Sequence, residues 1–243
     1  MKLKLSAILL LFFGLTFATK AEDPDKIVTK MMETRGGIDK IQNINSIYFE
    51  MEQSGPQMPV PSILKIWHVK PDKIKLEQNM NNETVTVASD GQKAWIINPK
   101  QGSTEPQEMP IQQAAGLVQY VQLLEGELLN YKEKGLKLEY VEMVDDESGS
   151  FHKIKATDAN GNSSFVYVDP ITNLINRTEA KQQTQQGEAN IVTKITERTK
   201  VNGIMFPKSI DIEMNGQVVQ SLTFNKIELD GKIDNTIFAM PTK

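Results

Sequence analysis

The chain has 243 residues, no cysteine, and 27 Lys and Arg side chains against 31 Asp and Glu side chains, a net charge of −4. This length fits one large domain or two small ones, and it can bury a core without disulfides or a metal. The acidic balance disfavours a nucleic-acid-binding protein, because phosphate contacts require clustered Lys and Arg. The lack of cysteine excludes thiol nucleophiles, disulfides and cysteine-type zinc sites.

Residues 1–21 have the layout of a secretory signal peptide. Two lysines precede an apolar run from Leu5 to Ala18, and small residues follow up to Ala21. The run falls short of the ~20 apolar residues that a membrane-spanning helix needs. Export without cysteine fits a bacterial periplasm. We therefore expect a periplasmic protein cleaved near Ala21, with Ala18 as the alternative, and one domain over residues 22–243.

The mature chain is predicted to begin with a helix. Asp23 can cap it, Pro24 fits its first turn, and Gly36-Gly37 ends it. A short second helical turn is predicted at Ile38–Ile41. From Ser46 onwards apolar and polar residues alternate, which indicates half-buried strands. The later predicted strands are Ile63–Val69, Lys73–Met80, Thr84–Ser89, Lys93–Ile97, Leu136–Met143, Phe151–Thr157, Ser164–Val168, Leu174–Gln183, Ala189–Lys200, Ile204–Met214 and Val218–Leu229.

One segment, Pro110–Tyr131, departs from this alternation. Its apolar residues recur every three or four positions, which predicts an amphipathic helix that Gly116 and Gly126 interrupt. Turn dipeptides such as Asp90-Gly91 and Asn202-Gly203 join the strands as hairpins. The pattern predicts a mainly β (α+β) protein with about a dozen strands in one strongly twisted antiparallel sheet, partly or wholly closed.

Motifs of catalysis and metal binding are scarce. The two histidines, His68 and His152, lie in strand patterns without metal-ligand spacing, and the sequence has no nucleophile elbow, dinucleotide fingerprint or phosphate loop. The acidic run Asp145-Asp146-Glu147 adjoins Ser148-Gly149 and is typical of a solvated turn. We therefore expect no enzymatic activity, no metal and no cofactor.

The apolar content points instead to a container. A barrel of about a dozen strands encloses more volume than side chains easily fill, so it tends to hold a ligand or a helix. The ten methionines that follow the predicted signal peptide would suit an adaptable apolar surface, although simple core filling explains any single one of them. The central helical segment, with its apolar face, is the predicted lid.

A specific resemblance lies between Lys70 and Pro99. Lys70-Pro71-Asp72 opens a strand, Ser89-Asp90-Gly91 forms a hairpin turn, and Trp95-Ile96-Ile97-Asn98-Pro99 follows. With the turn Asp169-Pro170-Ile171-Thr172 and the ending Phe238 to Pro241, this order and spacing resembles the periplasmic lipoprotein-sorting chaperones of Gram-negative bacteria, the LolA-like family.

The resemblance implies an unclosed β-barrel of about eleven strands, lidded by helices around an apolar cavity. It implies a monomeric carrier that shields acyl chains of lipoproteins and moves them from an inner-membrane ABC exporter to an outer-membrane receptor. It also implies a lid contact at Lys70, where the family usually has arginine, and cavity positions at Ile74 and Leu76. The full set of predicted acyl-binding residues is Phe49, Met51, Ile74, Leu76, Trp95, Ile97, Met109, Leu117, Val121, Met214 and Phe224.

Other functions remain open on the same sequence features. One is a carrier or sensor of another lipid, such as a glycolipid or a signal lipid. Sensor relatives usually carry a second C-terminal domain, for which this chain is short. A secreted hydrolase that uses scattered carboxylates is the enzyme alternative.

Overall fold

Within residues 22–81, 83–184 and 187–241, which the computed structural model describes, thirteen strands form one antiparallel sheet. The predicted signal peptide lies outside these residues. The strands are β1 (Ser46–Gly55), β2 (Met58–Val69), β3 (Lys73–Met80), β4 (Glu83–Ser89), β5 (Ala94–Asn98), β6 (Ser103–Met109), β7 (Lys137–Asp146), β8 (Gly149–Thr157), β9 (Ser163–Val168), β10 (Ile175–Thr184), β11 (Gly187–Val201), β12 (Ile204–Met214) and β13 (Gln217–Leu229).

The sheet is unclosed. Its order is β6-β5-β4-β3-β2-β1-β13-β12-β11-β10-β9-β8-β7, so every strand pairs with its chain neighbours except at the β6–β7 break, and β1 pairs with β13 in the middle. The two edge strands, β6 and β7, are the two that the helical segment connects. The predicted mainly β, antiparallel, unclosed architecture is confirmed, with two strands more than the eleven implied by the resemblance.

In the described part of the chain, four α-helices accompany the sheet: α1 (Pro24–Arg35), α2 (Ile38–Gln42), α3 (Ile111–Ala115) and α4 (Val118–Glu125). The Asp23 side chain accepts a hydrogen bond from the Asp25 amide at 3.0 Å, which confirms the predicted cap of α1. The predicted central helix is divided into α3 and α4. Gly126, with φ of 87°, ends α4 in a conformation that side chains rarely adopt.

The predictions omitted one strand, β6. Its sequence contains Pro106, which lacks the amide proton needed inside a sheet. β6 is an edge strand that pairs with β5 alone, so a proline is tolerated there. Met109, one of the predicted acyl-binding residues, is the last residue of this strand.

The helices pack against one face of the sheet, which we call the inner face. Alternate residues of β1, including Phe49 and Met51, point to it and are fully buried. They form one core with Met31 of α1 and with Val121 and Leu124 of α4. The opposite, outer face of the sheet is covered in part by the 3-10 helix Asn235–Phe238, which packs against β3 and β4.

No helix in the described part of the chain is both long enough and apolar enough to cross a membrane.

Candidate functional site

A groove of about 860 Å³ lies between α4, with the segment after it, and the inner face of β8 to β12. Leu123 of α4 and Leu136 form one wall, and Ile195 of β11 and Ile210 of β12 form the floor. Carboxamides and hydroxyls lie along the rim, among them the Gln122 side chain. The groove therefore combines an apolar floor with a polar, solvent-facing mouth.

Strand β10 sets the order of apolar and polar groups along the groove. A register irregularity between Ile175 and Arg177 places Ile175 on the same face as Thr178, Ala180 and Gln182. Ile175 is apolar, Thr178 is intermediate and Gln182 is polar, so polarity rises toward the β10–β11 hairpin. The apolar end of the groove is therefore at Ile175.

The apolar end of the groove continues beneath α4. A second pocket of about 40 Å³ shares Leu123, Gly126, Ile175 and Ile195 with the groove. It reaches the buried side chain of Phe206 on β12. A small displacement of α4 would lengthen the apolar part of the groove.

The charged residues that line the groove already have protein partners. Glu127 accepts a hydrogen bond from the Ser164 hydroxyl, and Lys181 donates to Glu188 at 2.7 Å. A hydrogen bond from the Asn162 side chain and backbone amides of the same loop lower the pKa of Asp158. Desolvation lowers the pKa of the fourth group, the Lys134 ammonium. Strand alternation directs Lys181 and Glu188 to the outer face, so the inner face of the groove carries two carboxylates and the Lys134 ammonium.

The C-terminus of α4 is held by Arg35 of α1. The buried guanidinium donates to the carbonyl oxygens of Leu124 at 2.9 Å, of Glu125, and of Met205 at 3.4 Å. Desolvation lowers the pKa of Arg35 to about 10. The last carbonyls of a helix have no partner within the helix, so these hydrogen bonds satisfy them. The sequence predictions missed this arginine.

Lys70 lies at the same end of α4. Its Nζ atom is 3.9 Å from the Glu125 carboxylate and donates to the Gln42 carbonyl at 3.1 Å. The ammonium group thus adjoins both α2 and α4, in the region where the lid contact was predicted. Its role in holding a lid stays a prediction.

The segment after α4 is tied to the start of α1. Asp25 accepts hydrogen bonds from the Tyr131 hydroxyl at 2.5 Å and from the Lys132 ammonium at 2.7 Å. These bonds lower the pKa of Asp25, with Lys132 as the larger cause. The Gln42 amide also donates to the Asn130 side chain at 2.6 Å. Every one of these ties joins the helical segment to the α1–α2 region.

Six of the predicted acyl-binding residues come together in the core on the inner face, each at most 5% exposed: Phe49, Met51, Ile74, Leu76, Val121 and Phe224. The rings of Phe49 and Phe224 are 5.6 Å apart. The half-buried Leu117 packs against the same core. None of these side chains lines the groove. Whether an acyl chain reaches them stays a prediction.

Trp95 and Ile97 were expected beside these residues, but the strand register places them on the outer face. Trp95 pairs with Ala88, and Ala88 pairs with Lys75, which lies over the outer-face ring of Trp67. The Trp95 indole donates to the Phe238 carbonyl at 2.9 Å. Both apolar side chains therefore pack away from the inner core.

The two remaining predicted residues lie at strand ends. Met109 pairs with Ala94 at the end of β6, and Met214 pairs with Ile191 at the end of β12. Met109 and Met214 are half-buried. Neither lines the groove.

The histidines are buried in the sheet. His68 is 6% exposed, and desolvation, together with Lys70, lowers its pKa. His152 Nε2 is 3.7 Å from a Glu22 carboxylate oxygen. The side chains of residues 22–81, 83–184 and 187–241 form no cluster of three or more metal-ligating groups. Asp146, in the predicted solvated turn, pairs with Arg177 at 2.8 Å.

Solved structures share this architecture. A DUF1329 family protein from Desulfovibrio piger matches with a TM-score of 0.55 and 12% identity, over 90% of this chain and 98% of its own. A LolA superfamily protein from Nitrosomonas europaea matches with a TM-score of 0.53 and 12% identity, over 86% of this chain and 96% of its own. The protein has the LolA-like fold. An outer membrane lipoprotein-sorting protein domain from Vibrio parahaemolyticus shares this fold, with a TM-score of 0.53 and 8% identity, over 88% of this chain and 94% of its own.

No family model matches the sequence, and no curated protein matches it. The LolA-like fold confirms the resemblance at the level of architecture. At 8 to 12% identity, the likeness shows the fold alone.

Proposed function

We propose that the protein is a periplasmic carrier that shields the acyl chains of lipoproteins and moves them from the inner to the outer membrane. The observation that carries this proposal is the groove, whose apolar floor continues beneath α4 and whose mouth is polar. The lipoprotein-sorting domain with the same fold supports the choice of cargo. The proposed function uses no residue as a catalyst.

The groove is long enough for an acyl chain. From Ile175 to Gln182 β10 spans about 23 Å, at ~3.3 Å per residue. One leaflet of a bilayer contributes about 15 Å of hydrocarbon, which is half of the ~30 Å core. One chain therefore fits along β10 with its head group near the hairpin.

The energies favour opening of α4 by the ligand. Each buried methylene contributes about 0.8 kcal/mol, so a sixteen-carbon chain gains about 12 kcal/mol on leaving water. Exposing Val121 and Leu124, the two buried side chains of α4, costs about 3–6 kcal/mol. The acyl chain can therefore displace α4 and still bind with a net gain in free energy. Displacement would bring it to the core residues Phe49, Leu76 and Phe224.

Transfer requires partners on both sides. By the family resemblance, an inner-membrane ABC exporter delivers the acyl chains and an outer-membrane receptor accepts them. Between the two, the carrier is a monomer. Cargo held by a helix that opens at moderate cost can be released when the receptor offers a better apolar site.

Ligand analysis tests the proposed function. The full chain is exported in a Gram-negative host, purified from the periplasm, and examined by native mass spectrometry and by titration with a fluorescent diacylated lipopeptide. We expect acyl-bearing ligands and saturable binding. A folded protein that neither contains nor binds an acyl chain would refute the proposal.

A matched pair of variants locates the binding. Ala180 is half-buried in the groove, and Ala239 is exposed beyond it. Ala180→Trp should fill the groove and abolish lipopeptide binding, while Ala239→Trp should bind as the wild type does. Urea denaturation shows whether each variant is folded. Full binding by a folded Ala180→Trp protein would place the ligand elsewhere.

A further inference from the structure

The mouth of the groove carries carboxamides that the protein leaves free. Gln119 and Gln122 project from one side of α4, three residues apart. Gln182 lies opposite, on the inner face near the end of β10. Across the ranges that the structure describes, these three side chains have no hydrogen-bond partner in the protein. Each amide therefore offers both donors and an acceptor to a ligand.

Hydroxyl groups extend this polar surface along the strands. Thr178 of β10 and Thr193 of β11 are a cross-strand pair and both line the groove. A hydroxyl group both donates and accepts, so this wall suits a head group with the same double capacity. Sugar hydroxyls and peptide amides have it.

The charged groups give an anionic head group no comparable advantage. The Lys134 ammonium is close to Glu125 and Glu127, and the Lys181 ammonium pairs with Glu188 at 2.7 Å on the outer face. Glu127 and Asp158 add negative charge to the groove. A phosphate would meet these carboxylates and compete with them for Lys134, which acts against it.

We infer that the mouth of the groove selects amphiphiles with an uncharged head group rich in hydrogen-bonding groups and rejects anionic phospholipids. This inference rests on the proposed function, since it concerns the same groove. Two kinds of ligand have this chemistry, a glycolipid and the lipidated peptide end of a lipoprotein. Rejection of anionic phospholipid would keep the carrier free for its cargo at a membrane surface.

Competition binding tests the inference on the full chain. Three probes with equal acyl chains displace a fluorescent fatty acid: a neutral diacylated lipopeptide, a galactosyl diacylglycerol and phosphatidylglycerol. We expect at least one neutral probe to bind about tenfold more tightly than phosphatidylglycerol, the effect of one or two hydrogen bonds. The stronger of the two neutral probes identifies the source of the head group.

Variants tie the preference to the mouth. Gln122→Leu with Gln182→Leu should reduce the preference for the neutral probe to about twofold or less, because the carboxamides are lost. Gln182→Lys should strengthen phosphatidylglycerol binding, since it adds an ammonium group. Gln92→Leu changes an exposed glutamine outside the groove and should leave all three affinities unchanged.

The outcomes separate the two proposals. If phosphatidylglycerol binds as tightly as both neutral probes, or if the double variant keeps the full preference, the inference about the head group is wrong while acyl binding stands. If no acyl-bearing probe binds the folded protein, the proposed function itself is refuted.

Discussion

Replacing Arg35 with methionine tests how the structure holds α4 closed. The guanidinium donates to the Leu124 carbonyl at 2.9 Å and to the Glu125 carbonyl, both in the last turn of α4. Methionine keeps much of the apolar stem of arginine and removes all of its donors. The Arg35→Met protein would leave these carbonyls buried without a partner.

Two opposing effects set the size of the change. Hydrogen bonds from a charged donor contribute about 1.5–3 kcal/mol each, so two contribute about 3–6 kcal/mol. Burial disfavours the charged guanidinium, as the lowered pKa of about 10 shows, and removal of the charge recovers part of this loss. We expect the free energy of α4 opening to fall by about 2–4 kcal/mol.

Hydrogen exchange measured by mass spectrometry reads this change in peptides that cover α4. A loss of about 2 kcal/mol speeds exchange of the α4 amides ~30-fold. Arg198→Met is the matched control, because Arg198 also donates to a backbone carbonyl, that of Ile175, and burial lowers its pKa too. In the Arg198→Met protein, exchange of the α4 amides should be accelerated no more than exchange of the sheet amides. Equal acceleration across the whole of the Arg35→Met protein would refute the reasoning.

Three further predictions concern the lid, the core and the α1 contact. Leu117→Asp, at a half-buried position, should weaken acyl binding but lower the urea midpoint of unfolding only slightly, whereas Val121→Asp, at a 1% exposed position, should reduce both acyl binding and stability. Equal losses of binding and stability in Leu117→Asp would indicate a plain core helix. The lowered pKa of His68 means that the folded state resists protonation, so stability should fall as the pH drops from 7 toward 5; urea denaturation of His68→Leu should show a flatter profile, and an unchanged profile would contradict this. Because the pKa of Asp25 is lowered, its carboxylate contributes to the stability of the folded state above pH ~4, and this contribution is lost as the pH falls through the folded-state pKa. Asp25→Asn should raise the solvent exposure of Tyr131 at pH 7, as measured by fluorescence quenching. Unchanged quenching would refute a stabilising contact between Asp25 and Tyr131.

Local signals in the sequence predicted most of the sheet. Alternation located twelve of the strands, and hairpin dipeptides such as Asn202-Gly203 marked their connections, with φ of 50° and 81° as a type I′ turn requires. β6 was not predicted because a proline disfavours a strand. The proline is acceptable here only because β6 lies at an edge of the sheet. Edge position is a property of the whole sheet and has no local signal.

The prediction that Trp95 and Ile97 of β5 face the inner core was wrong for a related reason. Both faces of this strand are apolar, with Trp95 and Ile97 on one side and Ala94 and Ile96 on the other. Alternation therefore does not distinguish the inner face from the outer face. The register with β4 decides it, and the outer face is apolar here because the 3-10 helix ending in Phe238 covers it.

Along β10 the groove has no alternating hydrophobic pattern that would predict it. Along β10 its inner face presents Thr178, Ala180 and Gln182, which the alternation rule assigns to solvent. Arg35 was equally hidden, since a basic residue in the last turn of a helix is ordinarily explained by the helix dipole. Both features become visible only when distant segments are brought together.

The two halves of the sheet differ in how their inner face is covered. On β1 to β3 the inner face is buried in the core that it forms with α1 and α4, while on β8 to β12 it is open as the groove. α4 packs against β12 and is anchored mainly at its C-terminus, by Arg35 and Lys70. Its other end joins α3 and the edge strand β6, where no side chain caps the helix. A ligand that enters from the groove would therefore lift the N-terminal end of α4 first and break the Arg35 hydrogen bonds only as α4 opens fully, which extends the apolar floor toward Phe49 without breaking the sheet.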